Sequence, residues 1–437
     1  MAAGDRRWLL RLVIAFAFSQ AAVSMARPAV SYRALALGAD ERAVGVIAGV
    51  YALLPLFAAV PLGRRTDRGR CVPLLAVGAA LIGLGCGLSG TAGSLAALAA
   101  WSGVMGLGHL CFVIGAQSIV ARRSAPADQD RNFGHFTIGA SLGQLVGPVA
   151  AGLLVSGRDG AMGRTSALAL VVSAGVAAVS LLWLRRLEPP QTARTAKSPR
   201  GRAERGSRKA RRAESGKVPV RRILRSRGVP SGILVSLAVL SATDILTAYL
   251  PVIGEDRGIS PATIGLLLSL RAAAAIACRL VMTPMIQRVG RTVLLTASCL
   301  IGGLLCAGIA LPVPVWGLAL MLAALGFCLG VGQPLSMTTV VRAAPAEARS
   351  TALALRLTGN RLGQVAAPAS AGLVAGVAGT GAPFMMLGVL LLGAAGLGVR
   401  STPRDAAPAA PASTPAPPKT KAPEEPPVPA DDSPHGR

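Results

Sequence analysis

The sequence predicts an all-α membrane protein with twelve transmembrane helices arranged as two pseudo-symmetric six-helix bundles. Three observations lead there. Of 437 residues, 52% are apolar and 15% charged, with a mean hydropathy of +0.56, so lipid rather than water surrounds much of the chain. About twelve apolar runs come near the roughly 20 residues that a ~30 Å hydrocarbon layer asks of a helix. One stretch also recurs: Gly139, Leu142, Gly143, Gln144, Pro148, Ala151, Gly152 and Leu153 reappear, at a constant offset, as Gly359, Leu362, Gly363, Gln364, Pro368, Ala371, Gly372 and Leu373. A duplicated membrane bundle places its site between its halves.

In order, the runs lie near residues 8–27, 44–62, 72–90, 95–121, 134–156, 164–185, 230–252, 262–285, 292–311, 315–341, 350–377 and 382–399. They are apolar on all faces, whereas membrane strands alternate apolar with polar, so the spans are helices. Arg6 and Arg7 before the first run, and Ser24-Met25-Ala26 at its end, imitate a secretory signal with a cleavage site. Eleven further runs favour an uncleaved first helix. Trp8, Trp183 and Trp316 fall at helix ends, where an indole suits the headgroup level.

Charge sets the orientation, because cytoplasmic loops collect Lys and Arg. The loop after the second run holds Arg64, Arg65, Arg68 and Arg70, and that after the fourth holds Arg122, Arg123 and Arg131, while residues 91–94 and 312–314 are uncharged. Both termini are therefore expected in the cytoplasm, with the protein in the plasma or inner membrane. The expected domains are residues 1–186 and 229–400 as the two bundles, 187–228 as a basic disordered linker, and 401–437 as a disordered Pro/Ala-rich tail. Between Arg185 and Arg227, sixteen Lys or Arg face three Glu, half of the net charge of +26. The linker has no aromatic platform for bases, so its charge reads as topogenic and membrane-directed rather than as a nucleic-acid site.

Seven cysteines without a CxxC pair, and only His109, His135 and His435 as imidazoles, present no metal-ligand spacing. Nor does any nucleophile, base and oxyanion-donor set or phosphate loop occur. No enzyme, metal or cofactor is expected.

Three motifs resemble the major facilitator superfamily of secondary transporters, over residues 8 to 399. Gly63-Arg64-Arg65-Thr66-Asp67-Arg68-Gly69-Arg70 is similar to that family's G-x-x-x-D-R-x-G-R/K loop, one residue short between Arg68 and Gly69. Gly143-Gln144-Leu145-Val146-Gly147-Pro148-Val149-Ala150-Ala151-Gly152 resembles the G-x-x-x-G-P-x-x-G-G signature of its antiporters. Gly106-Leu107-Gly108, Gln117 and Arg122 look like its fourth helix, but the Arg linked there to proton movement is Ser102 here, and that role is not carried over. The resemblance implies a twelve-helix alternating-access carrier, with Gly63, Asp67 and Arg68 as a gating latch and Gly147 and Pro148 as a pliable, closely packed gate helix. Without the family, the first motif also reads as a solvated basic turn and the second as ordinary small-residue packing.

An ionisable group at membrane depth is a functional candidate. Counting inward at 1.5 Å per residue, Asp244 in the seventh run lies about eight residues deep and Arg271 in the eighth about nine. A buried pair between them follows, serving either as a switch opened by protonation of Asp244 or as a static pin. His109, mid-way along the fourth run, reads as a second proton carrier or as a packing residue. Arg356, Asn360, Arg361 and Gln364 form one stripe along the eleventh run; with Gln20 and Gln144 they are a candidate lining for a positive cavity suited to polar or anionic solutes, with Arg356 alternatively snorkelling to the inner face. Few aromatic residues, eight Phe and three Tyr, argue against a broad cationic-drug pump.

The leading expectation is export of a small organic solute in exchange for protons by a monomer in the bilayer. The alternatives are an importer or uniporter of a polar or anionic metabolite, and a transport-dead sensor working through the linker and tail.

Overall fold

A computed structural model describes residues 7–68, 71–124, 129–155, 161–184, 220–226, 228–345 and 349–401. The expected linker up to residue 219 and the tail beyond residue 401 lie outside the described residues. Twelve long helices are present among those described: α1 (Arg7–Ala36), α2 (Glu41–Arg68), α3 (Val72–Thr91), α4 (Leu95–Arg123), α5 (Gln129–Val155), α6 (Met162–Leu184), then α8 (Val229–Asp256), α9 (Pro261–Val289), α10 (Arg291–Ala310), α11 (Val315–Ala343), α12 (Arg349–Ala378) and α13 (Ala382–Ser401). A short helix, α7 (Val220–Arg225), precedes the second half. No strand occurs among the described residues, as the uniform apolar runs require.

The twelve expected runs are all helical, and several helices outlast their runs. At 30 residues α1 is about 45 Å long at 1.5 Å per residue, enough to cross the headgroup layers as well as the hydrocarbon. This lengthening corrects two boundaries. The latch residues Gly63, Asp67 and Arg68 belong to the last turns of α2, which runs to Arg68, and not to a loop; their side chains fall outside the described residues. Residues 220–225, expected as part of a disordered linker, form α7 because Ile223 buries itself fully against Val229, Val340 and Ala352 of the second half.

The repeat extends well beyond the stretch visible in α5 and α12. Gly38 and Gly258, separated by the same offset, close α1 and α8 with φ of 79° and 64°, a left-handed conformation that glycine adopts without a Cβ clash. Just beyond them, Asp40 accepts a hydrogen bond from the Ala43 amide at 2.8 Å and Ser260 accepts one from the Thr263 amide at 3.3 Å, capping α2 and α9 alike. The same helix–turn–helix unit thus opens both halves.

Within each half the helices meet at glycines. Gly139, Gly143 and Gly147 of α5 lie against α1, where a Cβ on Gly147 would stand 2.6 Å from that of Ser24 and 2.9 Å from the Ala21 carbonyl oxygen. Such small-residue contacts supply close packing where no hydrophobic force separates helix from lipid. Outward faces carry the exposed apolar side chains, among them Leu84 of α3, Leu182 of α6, Leu304 of α10 and Val389 of α13. Among the described residues ten of the helices are individually long and apolar enough to cross a membrane, and the polar stripe of α12 sets that helix apart.

Candidate functional site

The two halves seal against each other at the end bearing the charge-poor loops. Two seams do this, and the repeat relates them. On one, a Cβ at Gly45 of α2 would stand 2.5 Å from the Pro368 carbonyl oxygen and 2.8 Å from the Gly372 Cα of α12. On the other, Gly265 of α9 packs onto the Pro148 carbonyl and the Gly152 Cα of α5. Gly45 and Gly265, Pro148 and Pro368, and Gly152 and Gly372 are all repeat mates at the constant offset. The Tyr249 hydroxyl donates to the Glu41 carbonyl at 2.9 Å, and Arg42 donates to the Gly376 carbonyl at 3.3 Å, adding polar ties at the same end.

Below the seal lies a cavity of about 400 Å³, lined from both halves by α1, α2, α4, α5, α8, α9 and α12. Gln117, Thr137 and Gln144 line it and are exposed although each sits within a spanning helix. A residue exposed at that depth and lining a cavity faces water rather than lipid.

The cavity holds one carboxylate, Asp244, and it pairs with Arg27 of α1 at 2.8 Å. The expected pair with Arg271 is thereby corrected. Both residues reach the cavity at the expected depth, but Arg27, on a helix across the boundary between the halves, comes to the carboxylate. Arg271 makes no hydrogen bond or ion pair to any described residue, and its Nε is buried without a partner. Oδ2 of Asp244 is likewise buried and unpartnered. In the sequence Arg27 stands at the end of the first run, where an arginine is an ordinary anchor; continuation of α1 to Ala36 puts it inside the membrane.

Arg27 also lies over the Tyr51 ring, 5.0 Å from its centroid, a cation–π arrangement. Tyr51 starts a hydrogen-bonded chain: its hydroxyl and Nδ1 of His109 are 2.6 Å apart, Nε2 of His109 and Oε1 of Gln20 are 3.1 Å apart, and Nε2 of Gln20 donates to Ser24 at 3.3 Å. Because Oε1 can only accept, Nε2 of His109 donates to Gln20, and Nδ1 shares a hydrogen bond with the Tyr51 hydroxyl. Both ring nitrogens are then occupied, which is the satisfied-packing alternative for His109.

The other candidates divide. Gln20, Gln144 and Gln364 line the cavity. Arg361 donates to Oε1 of the cavity residue Gln364 at 3.0 Å; Asn360 is buried, with Oδ1 unpartnered. Arg356 does not snorkel but is buried, donating to Gln333 and Ser336 of α11 at 2.7 and 3.3 Å. Pro148 is both a cavity residue and a seam residue, whereas Gly147 packs inside the first half. The expected shortage of aromatic surface is corrected as well: Phe16, Phe133 and Phe136 line the cavity, Phe16 stacks on Phe136 with centroids 4.2 Å apart, and Tyr51 adds a fourth ring. No group of residues suited to a metal occurs among those described. All seven cysteines are buried, and none is in a disulfide.

The family described as Major Facilitator Superfamily matches residues 12–258 and 232–429. Comparison with curated protein sequences finds no match. Among solved structures, a POT family transporter in complex with a thioalcohol-conjugated peptide superposes with a TM-score of 0.70 at 16% identity, covering 90% of this chain and 95% of that one. The nucleoside transporter NupG gives 0.69 at 14% identity, with 90% and 98% covered. A bacterial homolog of the human lysosomal transporter Spinster, in an inward-facing and occupied conformation, gives 0.68 at 14%, with 92% and 97% covered.

Proposed function

The chain belongs to the Major Facilitator Superfamily, and we propose that it is a proton-coupled secondary transporter of a small polar or anionic organic solute, working by alternating access about the cavity below the seal. One observation carries the reading. The single carboxylate in the cavity, Asp244, is held by an arginine of the opposite half, so the same ion pair joins the halves and guards the site. Protonating Asp244 removes the charge that holds Arg27 and leaves the positive field of both cavity arginines, Arg27 and Arg271, to an anion. Proton and anion then occupy the cavity together, which favours their moving in the same direction.

Export in exchange for protons is the second reading, and the α5 pattern favours it: the glycines and proline that resemble an antiporter signature sit on and beside the seam that must open. In proteoliposomes loaded with solute, a pH gradient separates the two. Co-movement requires flux toward the alkaline side, exchange requires flux toward the acidic side, and flux indifferent to the gradient overturns proton coupling altogether. Asp244→Asn removes the titrating group, and the variant is expected to retain counterflow while losing the response to pH. The basic loops support placing the open face of the cavity in the cytoplasm.

A further inference from the structure

The cavity presents two surfaces of different chemistry, a guanidinium without a hydrogen-bonded partner and a mutually stacked aromatic wall open at Phe133. At the deep end Arg271 makes no hydrogen bond or ion pair to a described residue, because the nearby carboxylate of Asp244 is taken up by Arg27 at 2.8 Å. The charged lining of the cavity, Arg27 and Arg271 against Asp244, is therefore positive by one charge, and Arg271 is the guanidinium open to an anion. Toward the basic end lies a wall of three rings, Phe16, Phe133 and Phe136, of which Phe133 is the most open. Eight Phe serve 437 residues, and three of them gather on this one wall, which general hydrophobic filling by a Leu- and Ala-rich chain does not require.

We infer that the solute is an aromatic carboxylate whose ring packs on the phenylalanine wall while its anionic group pairs with Arg271. This deepens, and rests on, the reading of the cavity as the transport site. Counting along α1 from Phe16 to Arg27 gives an axial distance of roughly 16 Å. Arg271 lines the same cavity from the other half, facing the space between Arg27 and the rings, and a bicyclic ring on a short anionic arm is a probe on that scale. Aromatic rings favour offset or edge contacts with other rings, and a guanidinium meets a carboxylate through two parallel N–H donors. An aromatic cation meets the opposite situation, because the one carboxylate present is already taken by Arg27.

The test is calorimetric binding to the purified full chain in detergent, with 1-naphthaleneacetate as probe and 1-naphthaleneacetamide, 1-naphthylethylamine and acetate as comparisons. Binding of 1-naphthaleneacetate is expected at least about tenfold more tightly than the amide, as loss of a charge-assisted hydrogen bond implies, with no measurable binding of the amine or of acetate. Arg271→Gln should reduce the acid to the level of the amide, Arg271→Lys should restore part of the loss, and Phe133→Leu should weaken acid and amide by the same several-fold factor. Equal binding of acid and amide, tighter binding of the amine, or an acid affinity untouched in both Arg271 variants overturns the inference, as does absence of acid binding by a wild-type protein that melts cooperatively. Binding measured this way involves no gradient. Arg271-dependent binding with flux indifferent to pH sinks the coupling and spares the substrate class, and pH-driven flux of some other solute that ignores Arg271 does the reverse.

Discussion

Gly45 and Gly265 hold the same place in the two halves, as do Tyr51 and Arg271 further along the same helices, yet only the first pair is chemically alike. Behind them Gly106 and Gly326, again repeat mates, seat the backbone carbonyls of Tyr51 and Arg271 in the same way. The scaffold is thus repeated down to individual carbonyl contacts, while the side chains it aims into the cavity have diverged. Each seam must let two backbones meet, and only glycine allows that, so both copies keep it. In the cavity the first half supplies a hydrogen-bonded Tyr51–His109–Gln20 chain where the second supplies, at the matched position, the guanidinium of Arg271.

The sharpest way to break this comparison is the ion pair that spans it. Removing one partner of a buried pair costs about 3–5 kcal/mol, so Arg27→Gln should abolish proton-driven flux and lower the melting temperature more than any other single change in the cavity. The exchanged variant, Arg27→Asp with Asp244→Arg, should recover much of the thermal stability; a melting temperature no better than that of either single variant would show that the pair does not act as a unit. Next come the seams. Gly45→Val and Gly265→Val each drive a branched side chain into a carbonyl, with overpacking of about 1–3 kcal/mol. Both should expose cysteines introduced near Gly372 and Gly152 to a membrane-impermeant reagent by similar factors; a large effect at one seam only would end the claim of equivalence.

Smaller effects lie in the side-chain contacts. Tyr51→Phe removes the hydroxyl bonded to His109 and should cost about 1 kcal/mol, whereas Arg271→Gln, at the matched position, should leave stability unchanged or raised, because Arg271 makes no hydrogen bond or ion pair to a described residue. Thermal melts of both variants decide whether the positions have diverged in energy as well as in chemistry. The smallest change is expected from Tyr249→Phe, which loses the hydrogen bond to the Glu41 carbonyl and should loosen the seal by a few-fold in labelling rate.

Much of the architecture was legible in the residue order. The twelve runs and the constant offset between the copies follow from local facts, namely hydrophobic length and repeated small residues, and the helices obey them. Depth was legible too: Asp244 and Arg271 reach one cavity, as counting along their helices implied. Partnership was not. Counting along one helix at a time says nothing about which neighbouring helix turns its arginine inward, and Arg27 sat at a run boundary where a charge needs no special explanation. Phe16, Phe133 and Phe136 were hidden for a related reason, since a sparse count over the whole chain conceals a local concentration contributed by two separate helices.

By itself the sequence determined that the chain is helical, lies in lipid and is built twice from one plan, because backbone hydrogen bonding and hydrophobic length act within a segment. Only the tertiary structure decided that Asp244 is held by Arg27 and not by Arg271, and that Pro148 and Pro368 close matching seams. Those outcomes depend on how helices are rotated and how closely they approach, and both are set by glycine contacts between segments far apart in the chain.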